Sequence, residues 1–278
     1  MLLVVTFPLM LIEDKMLKHW IDNFYGYGSW HARFWFVSYE ESGADIPEEV
    51  ADRLNYFYNL QESNSLGLCD IRELYRHVAF RVEGRRAEKF ANLYDYRFGS
   101  HATLHGLWKN LIAFVHGFSN EQLPDLITYQ ISSFASPSPP NEAMIPLYPL
   151  PAHDHAWYYA WLDLPQFPFL KRRSLYQDYV YPVRMHTILE NISRYRPEVV
   201  LMYGMDNINL LKKSAEEFFH VADFKMVRGI KRQTPQYHWM EFNGTLLLIT
   251  TQIPALKHKR IETGFDWYKF GKLVKTTS

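Results

Sequence analysis

Residues 13–25, EDKMLKHWIDNFY, carry Met16, Leu17, Trp20, Ile21 and Phe24 at spacings of three and four, which predicts an amphipathic helix. Gly26-Tyr27-Gly28-Ser29 interrupts it. The following stretch, ARFWFVSYEESG (Ala32–Gly43), carries the unbroken apolar run Phe34–Val37 and ends in two adjacent carboxylates, a serine and a glycine. An unbroken run of that length is the pattern of a strand covered on both faces. Residues 46–60, with Pro47 near the start and Val50, Leu54 and Phe57 on one side, predict a second helix. Several helices are expected between 70 and 133, where Leu104, Leu107, Leu111, Phe114 and Val115 form the clearest stripe. Residues 136–155, SPSPPNEAMIPLYPLPAHDH, are dense in proline, which opposes helix and most sheet pairing. Met144, Ile145, Leu147, Tyr148 and Leu150 interleave those prolines, favouring an ordered loop lying on the core over an interdomain linker.

The second half repeats the strand–helix rhythm. A helix is predicted at about 183–195, and Pro197 then introduces a short apolar strand ending at Gly204. A helix follows at about 206–219, then strands at 237–242 and 245–251 around Asn243-Gly244, the favoured two-residue hairpin turn. A last helix is expected over 264–275. Apolar strands separated by helices predict an α/β fold of three layers, α/β/α, with a short, mainly parallel central sheet. The expected organisation is an apolar N-terminal extension, 1–12, and a single domain over 13–278.

Composition narrows the chemistry. Apolar residues make up 47% of the 278 and aromatics 17%, ample for a packed core. The 30 basic and 30 acidic residues cancel, so a polyanionic partner must be met by a local basic face. Cys69 stands alone, which excludes an internal disulfide framework, a CxxC redox pair and four-cysteine zinc or iron–sulfur sites, and suits a cytoplasmic location. The opening MLLVVTFPLMLI lacks the basic start and cleavage site of a secretory signal and is too short to span a bilayer, so no membrane partner is expected.

In open α/β sheets, sites form beyond the carboxyl ends of the strands. Three segments qualify: Ser38–Gly43, Gly204–Asn207 and Thr250–Lys257. The first supplies acids; the last supplies an apolar tip followed by Lys257, His258, Lys259 and Arg260. A carboxylate site beside a basic rim suits hydrolysis of a polyanion. His153-Asp154-His155 lacks identifiable third and fourth ligands and reads as polar loop, so no metal and no cofactor is expected. Gly204-Met205-Asp206 lacks the glycine spacing of a nucleotide-binding loop and reads as a tight turn, with Asp206 capping the next helix.

GYGSWHARFWFVSYEESG and LITTQIPALKHKR together resemble the two signature motifs of the uracil-DNA glycosylase superfamily, in a divergent branch. PEVVLMYG resembles that family's central strand, and IPLYPLP its loop after the second strand. The resemblance covers residues 13–275 and implies a monofunctional DNA glycosylase, a hydrolase that flips out a base and leaves an abasic site. It puts Glu40 where several branches carry a water-activating acid, with Glu41 as the runner-up, one residue along the loop. Either acid also reads as a helix N-terminal or solvated charge. Tyr39 and Tyr148 stand where a flipped base would stack, although core packing explains them nearly as well. Asn141 is the nearest candidate for the family's pyrimidine-reading asparagine.

Leu256 matches the family's DNA-inserting wedge, and Lys257, His258, Lys259 and Arg260 the residues gripping flanking DNA. Lys171-Arg172-Arg173 and Arg228, Lys231 and Arg232 are further candidate phosphate contacts, or plain solvated charge. The departure is Ile253, in Ile253-Pro254-Ala255, where the family has a histidine that stabilises the departing base. Isoleucine cannot do so: either another residue such as His258 compensates, the base is a better leaving group, or catalysis is weak or absent. The departure points away from uracil towards a damaged or modified pyrimidine, such as those of phage genomes, and with it a role in antiviral defence. The expected partner is DNA, bound by a monomer. Two rival readings stand beside this one: a non-catalytic DNA-binding or regulatory module on the same fold, and a small-molecule hydrolase using the same cleft.

Overall fold

The computed structural model describes residues 12–41, 47–60, 67–80, 90–152, 157–162, 164–221, 224–231, 233–254 and 265–277. Their order is α1 (Asp14–Asn23), β1 (Gly26–Tyr27), β2 (Phe34–Glu40), α2 (Pro47–Asn59), β3 (Leu68–Cys69), α3 (Ile71–Arg76), α4 (Leu93–Phe98), α5 (Trp108–Phe118), α6 (Leu126–Ser132), β4 (Glu142–Tyr148), α7 (Arg173–Tyr195), β5 (Val199–Tyr203), α8 (Ile208–Phe219), β6 (Lys225–Val227), β7 (Tyr237–Phe242), β8 (Thr245–Ile249) and α9 (Trp267–Thr277).

The strands form one mixed sheet in the order β3-β1-β4-β2-β5-β8-β7-β6. Its centre, β4-β2-β5-β8, is parallel; β7 and β6 extend it antiparallel on one side, and β1 joins antiparallel to β4 on the other. Phe34, Trp35, Phe36 and Val37 are all buried, because β2 is one of the two central strands and both its faces are covered. Phe34 meets Phe118 and Phe36 meets Phe114, both on α5. Trp35 points the other way, to Trp30 and to Tyr195 of α7. Helices therefore sandwich the sheet, as the strand–helix rhythm predicts. Behind β2, α5 and α9 approach through glycines: a Cβ on Gly117 would lie 2.0 Å from the Tyr268 carbonyl oxygen, and one on Gly271 2.2 Å from that of Phe114.

The proline-rich segment differs from expectation. Residues 142–148 are not a loop on the core but β4, the parallel neighbour of β2, with Pro146 opposite Ser38. IPLY thus belongs to the strand itself, and the loop begins at Pro149. Pro146 is tolerated because its ring lies towards Gly26 of β1, away from the β2 ladder. Where β1 stops short, the buried Arg184 of α7 donates to the carbonyls of Phe24 and Pro146 at 2.6 Å and to that of Leu147 at 3.3 Å. One guanidinium so satisfies backbone oxygens that a longer strand would have paired.

Two other boundaries shift. Helix α7 starts at Arg173, ten residues before the predicted start, and runs through Pro182, which sits on its exposed side. The residue capping α8 is Asn207, without a side-chain bond, so Asp206 is not a cap. Among the described residues, no helix is long and apolar enough to cross a membrane.

Candidate active site

The first strand in chain order among the central four, β2, has later strands on both sides, β4 on one and β5 on the other. Chain connections diverge there, and the carboxyl ends of such strands are where an open sheet leaves a crevice. At that end stand Ser38, Tyr39, Glu40 and Glu41.

The two acids are turned to different partners. The Glu40 carboxylate faces the first turns of α7, where Arg173 Nε donates to Oε1 at 2.8 Å, Arg173 Nη2 bonds Oε2, and Gln177 Nε2 donates to Oε1 at 2.9 Å. Arg173 and Gln177 are four residues apart and so share a helix face. The bidentate fork fixes the carboxylate plane, while 12% of the side chain remains exposed. Ser38 Oγ adds a bond to the Glu40 carbonyl at 3.1 Å.

Glu41 turns into the protein. Tyr27 Oη donates to its Oε1 at 2.8 Å and Arg53 Nη1 at 3.0 Å, while Arg53 Nη2 reaches Glu49 at 2.7 Å. Burial pushes the Glu41 carboxyl up from the ordinary value, and Arg53 and Tyr27 pull back only part of that shift. Glu41 is thus a buried structural anion with no opening to substrate, and the runner-up role assigned to it does not fit its surroundings.

Tyr39 and Tyr148 meet edge to face, with ring centroids 5.0 Å apart. Tyr148 is only 3% exposed, and its hydroxyl bonds no residue among those described. Burial, then the neighbouring Tyr39, Tyr181 and Glu40, raises its pKa, so it is a neutral hydrogen-bond donor at any physiological pH. Tyr39 is shifted upward too, first by burial and then by Glu40.

Ile253 lies at the same end of the sheet, in the segment after β8, two strands from β2. It is half exposed and packs over Gly204, whose φ of +68° and nearness to Ile253 Cγ1 (3.1 Å from a Cβ built there) favour glycine. Gly204 N–H donates to Gln252 O, Met205 N–H to Thr250 O, and Asn110 Nδ2 to Pro254 O at 2.8 Å. These bonds tie the exits of β5 and β8 together. A depression of about 420 Å³ opens beside them, lined by Asp206, Asn207, Ile208, Asn209, Leu210 and His238; Glu40 and Tyr148 do not line it.

Asn141 belongs elsewhere. It precedes β4 at the amino edge of the sheet, where its Nδ2 donates to Glu142 at 2.7 Å and Tyr129 at 3.2 Å. The length of β4 separates it from Glu40, about 20 Å at strand rise. Leu256, Lys257, His258, Lys259 and Arg260 lie outside the described residues, as do His153-Asp154-His155 and Arg232. Among the described residues, no three His, Cys, Asp or Glu side chains gather as a metal site. Of the basic runs, Lys171 and Arg172 are exposed next to Arg173, which is committed to Glu40, whereas Arg228 and Lys231 are exposed after β6 at the far edge of the sheet. Gln177 is a site residue that sequence reasoning missed, and Arg173, read there as a candidate phosphate contact, is instead a partner of Glu40; their i, i+4 spacing was the sole trace of the pair.

Comparison with protein-family models, with curated proteins and with solved structures finds no match for this chain.

Proposed function

We propose that the chain is a monofunctional DNA glycosylase with a uracil-DNA glycosylase-like fold, acting on a damaged or modified pyrimidine. The observation that carries this reading is Glu40, a carboxylate fixed at the crevice end of β2 beside the Tyr39–Tyr148 pair. In the reaction the N-glycosidic bond breaks, the base departs with the bonding pair, and C1′ becomes oxocarbenium-like. Water then adds to C1′ and gives up its proton to the departing base or to solvent.

Glu40, gripped by Arg173, suits stabilisation of that cation and orientation of the water, and suits proton abstraction less, because Arg173 already engages both oxygens. Ile253 offers the leaving base no hydrogen bond. The Tyr148 hydroxyl, on a residue 3% exposed and without a hydrogen-bond partner among the described residues, suits a donor in its place. Tyr39 offers a ring face for the flipped base. Lys171, exposed at the mouth of α7, suits a flanking phosphate.

An abasic-site cleavage assay on DNAs containing uracil, 5-hydroxymethyluracil or modified cytosines tests this, with Glu40→Gln and Tyr148→Phe as variants. The expected result is base release from at least one modified substrate, lowered on the order of 100-fold or more by Glu40→Gln. Full activity in a folded Glu40→Gln protein would sink the mechanism. A non-catalytic DNA-binding module is favoured by one feature, the full engagement of Glu40 by Arg173 and Gln177. That alternative predicts salt-dependent DNA binding with no base released from any substrate.

A further inference from the structure

Three of the large apolar side chains exposed among the described residues lie on one helix: Leu175 (36% exposed), Tyr179 (58%) and Val183 (66%) of α7. They recur every four residues, so they form one stripe on the side away from the buried Tyr176, Val180, Arg184 and Ile188. Phe169 widens the stripe by stacking flat on Tyr179, with ring centroids 4.0 Å apart. At 3.6 residues per turn the same line continues through His186 and Glu190, both exposed, and it begins at Arg172, the exposed residue preceding the helix.

Read from either end, the order Arg172, Leu175, Tyr179, Val183, His186, Glu190 is complementary to its own reverse. Turned end for end, it sets Arg172 against Glu190, Leu175 against His186, and Tyr179 against Val183. Neither Arg172 nor Glu190 has an ion-pair partner among the described residues. Arg172 also stands at the positive end of its own helix dipole, the unfavourable end for a cation; an antiparallel neighbour would bring a helix carboxyl end and a glutamate to it.

We infer that this stripe is a self-complementary dimer interface, in which α7 of one protomer packs antiparallel on α7 of a second copy about a twofold axis. An isologous contact requires that each patch match itself reversed, and this one does. The contact is narrow, one helix pair flanked by Phe169 and Phe169 of the second copy, so the dimer is weak and forms only as concentration rises. It uses Arg172 and leaves Lys171 and the Glu40 crevice open. The inference is independent of the glycosylase reading.

Sedimentation velocity across sub-micromolar to high-micromolar concentrations tests it. The expected result is a monomer–dimer equilibrium that Val183→Asp shifts at least tenfold toward monomer. Arg172→Glu and Glu190→Arg each weaken it, and the double charge swap restores it. All three positions are exposed, so folding is checked by an unchanged circular dichroism melt. A monomer at every concentration, a dimer indifferent to Val183→Asp, or a charge swap that rescues nothing would each overturn the interface.

Discussion

Replacing Arg53 by methionine leaves two buried carboxylates without their cation. The Glu41 and Glu49 side chains are 7% and 10% exposed, and Arg53 itself 1%. The substitution removes three hydrogen bonds: to Glu41 at 3.0 Å, to Glu49 at 2.7 Å and to Tyr27 at 3.2 Å. Stripping one partner from a buried ion pair costs about 3–5 kcal/mol. An independent bound agrees: each orphaned acid can escape by taking a proton, which at pH 7 costs roughly 3–4 kcal/mol from its ordinary value. The folded Glu41 already holds its proton more tightly than the unfolded chain, and losing Arg53 raises its pKa further. A carboxyl raised in the fold favours the fold below its ordinary value and weighs against it as pH rises through the raised one. The deficit of Arg53→Met is therefore full at pH 7 and shrinks towards pH 5, by about 1.4 kcal/mol per pH unit for each proton taken up. Urea denaturation followed by the fluorescence of the eight tryptophans reads this at both values. A further variant, Arg53→Met with Glu41→Gln and Glu49→Gln, recovers much of the loss and flattens the pH dependence. A deficit under about 1 kcal/mol, or one equal at pH 5 and pH 7, would refute the reasoning.

Two more outcomes follow from buried groups and close contacts. His105 receives the backbone N–H groups of Leu107 and Trp108 on Nδ1 at 3.2 and 3.4 Å and stacks on Trp108; burial, then the charge of Arg97, pushes its pKa down to about 3. A histidine lowered in the fold favours the fold above its ordinary value, so its contribution fades as pH drops from about 6.5 toward 3, at up to about 1.4 kcal/mol per unit. Its ring signals in an NMR titration should stay those of the neutral form at pH 5; a midpoint near the ordinary value contradicts this. Gly117→Ala and Gly271→Ala should each destabilise by about 1–3 kcal/mol, because the new Cβ meets helix backbone at 2.0 and 2.2 Å. Glycine to alanine in an open helix is worth about 1 kcal/mol in the opposite direction, so a raised melting temperature would show that α5 and α9 do not touch there.

What the sequence made legible was what repeats a pattern. β2, β5 and β8 are apolar runs because both faces of the central sheet are covered, and the Asn243-Gly244 turn pins β7 to β8 with φ values of +50° and +83°. β4 escaped because Pro146 argues against a strand, and only the placement of its ring on the β1 side, with Arg184 taking the carbonyls, removes the objection. β1 and β3 are two residues each, too short to carry a period, and β6 is largely exposed. The first half of α7 was hidden behind Pro182 and a basic run that reads as surface. In the site, the acids at the strand end were visible, but the clamp on Glu40 comes from 133 and 137 residues away, a distance no local pattern spans.

The pairing of the two acids has its own logic. Each acid is met by an arginine from a different helix: Arg173 of α7 for Glu40, Arg53 of α2 for Glu41. The second clamp gives the first its precision. Glu41 N–H continues the ladder to Tyr148 O at 3.1 Å, and its buried side chain fixes the backbone immediately after Glu40. Glu40 therefore sits between a paired strand and an anchored residue. On the proposed reading, a group that stabilises a developing charge does so in proportion to how little it must reorganise, and the anchored Glu41 limits how far Glu40 can move. The neighbour that first competed with Glu40 for the chemistry is better understood as the residue that holds it in place.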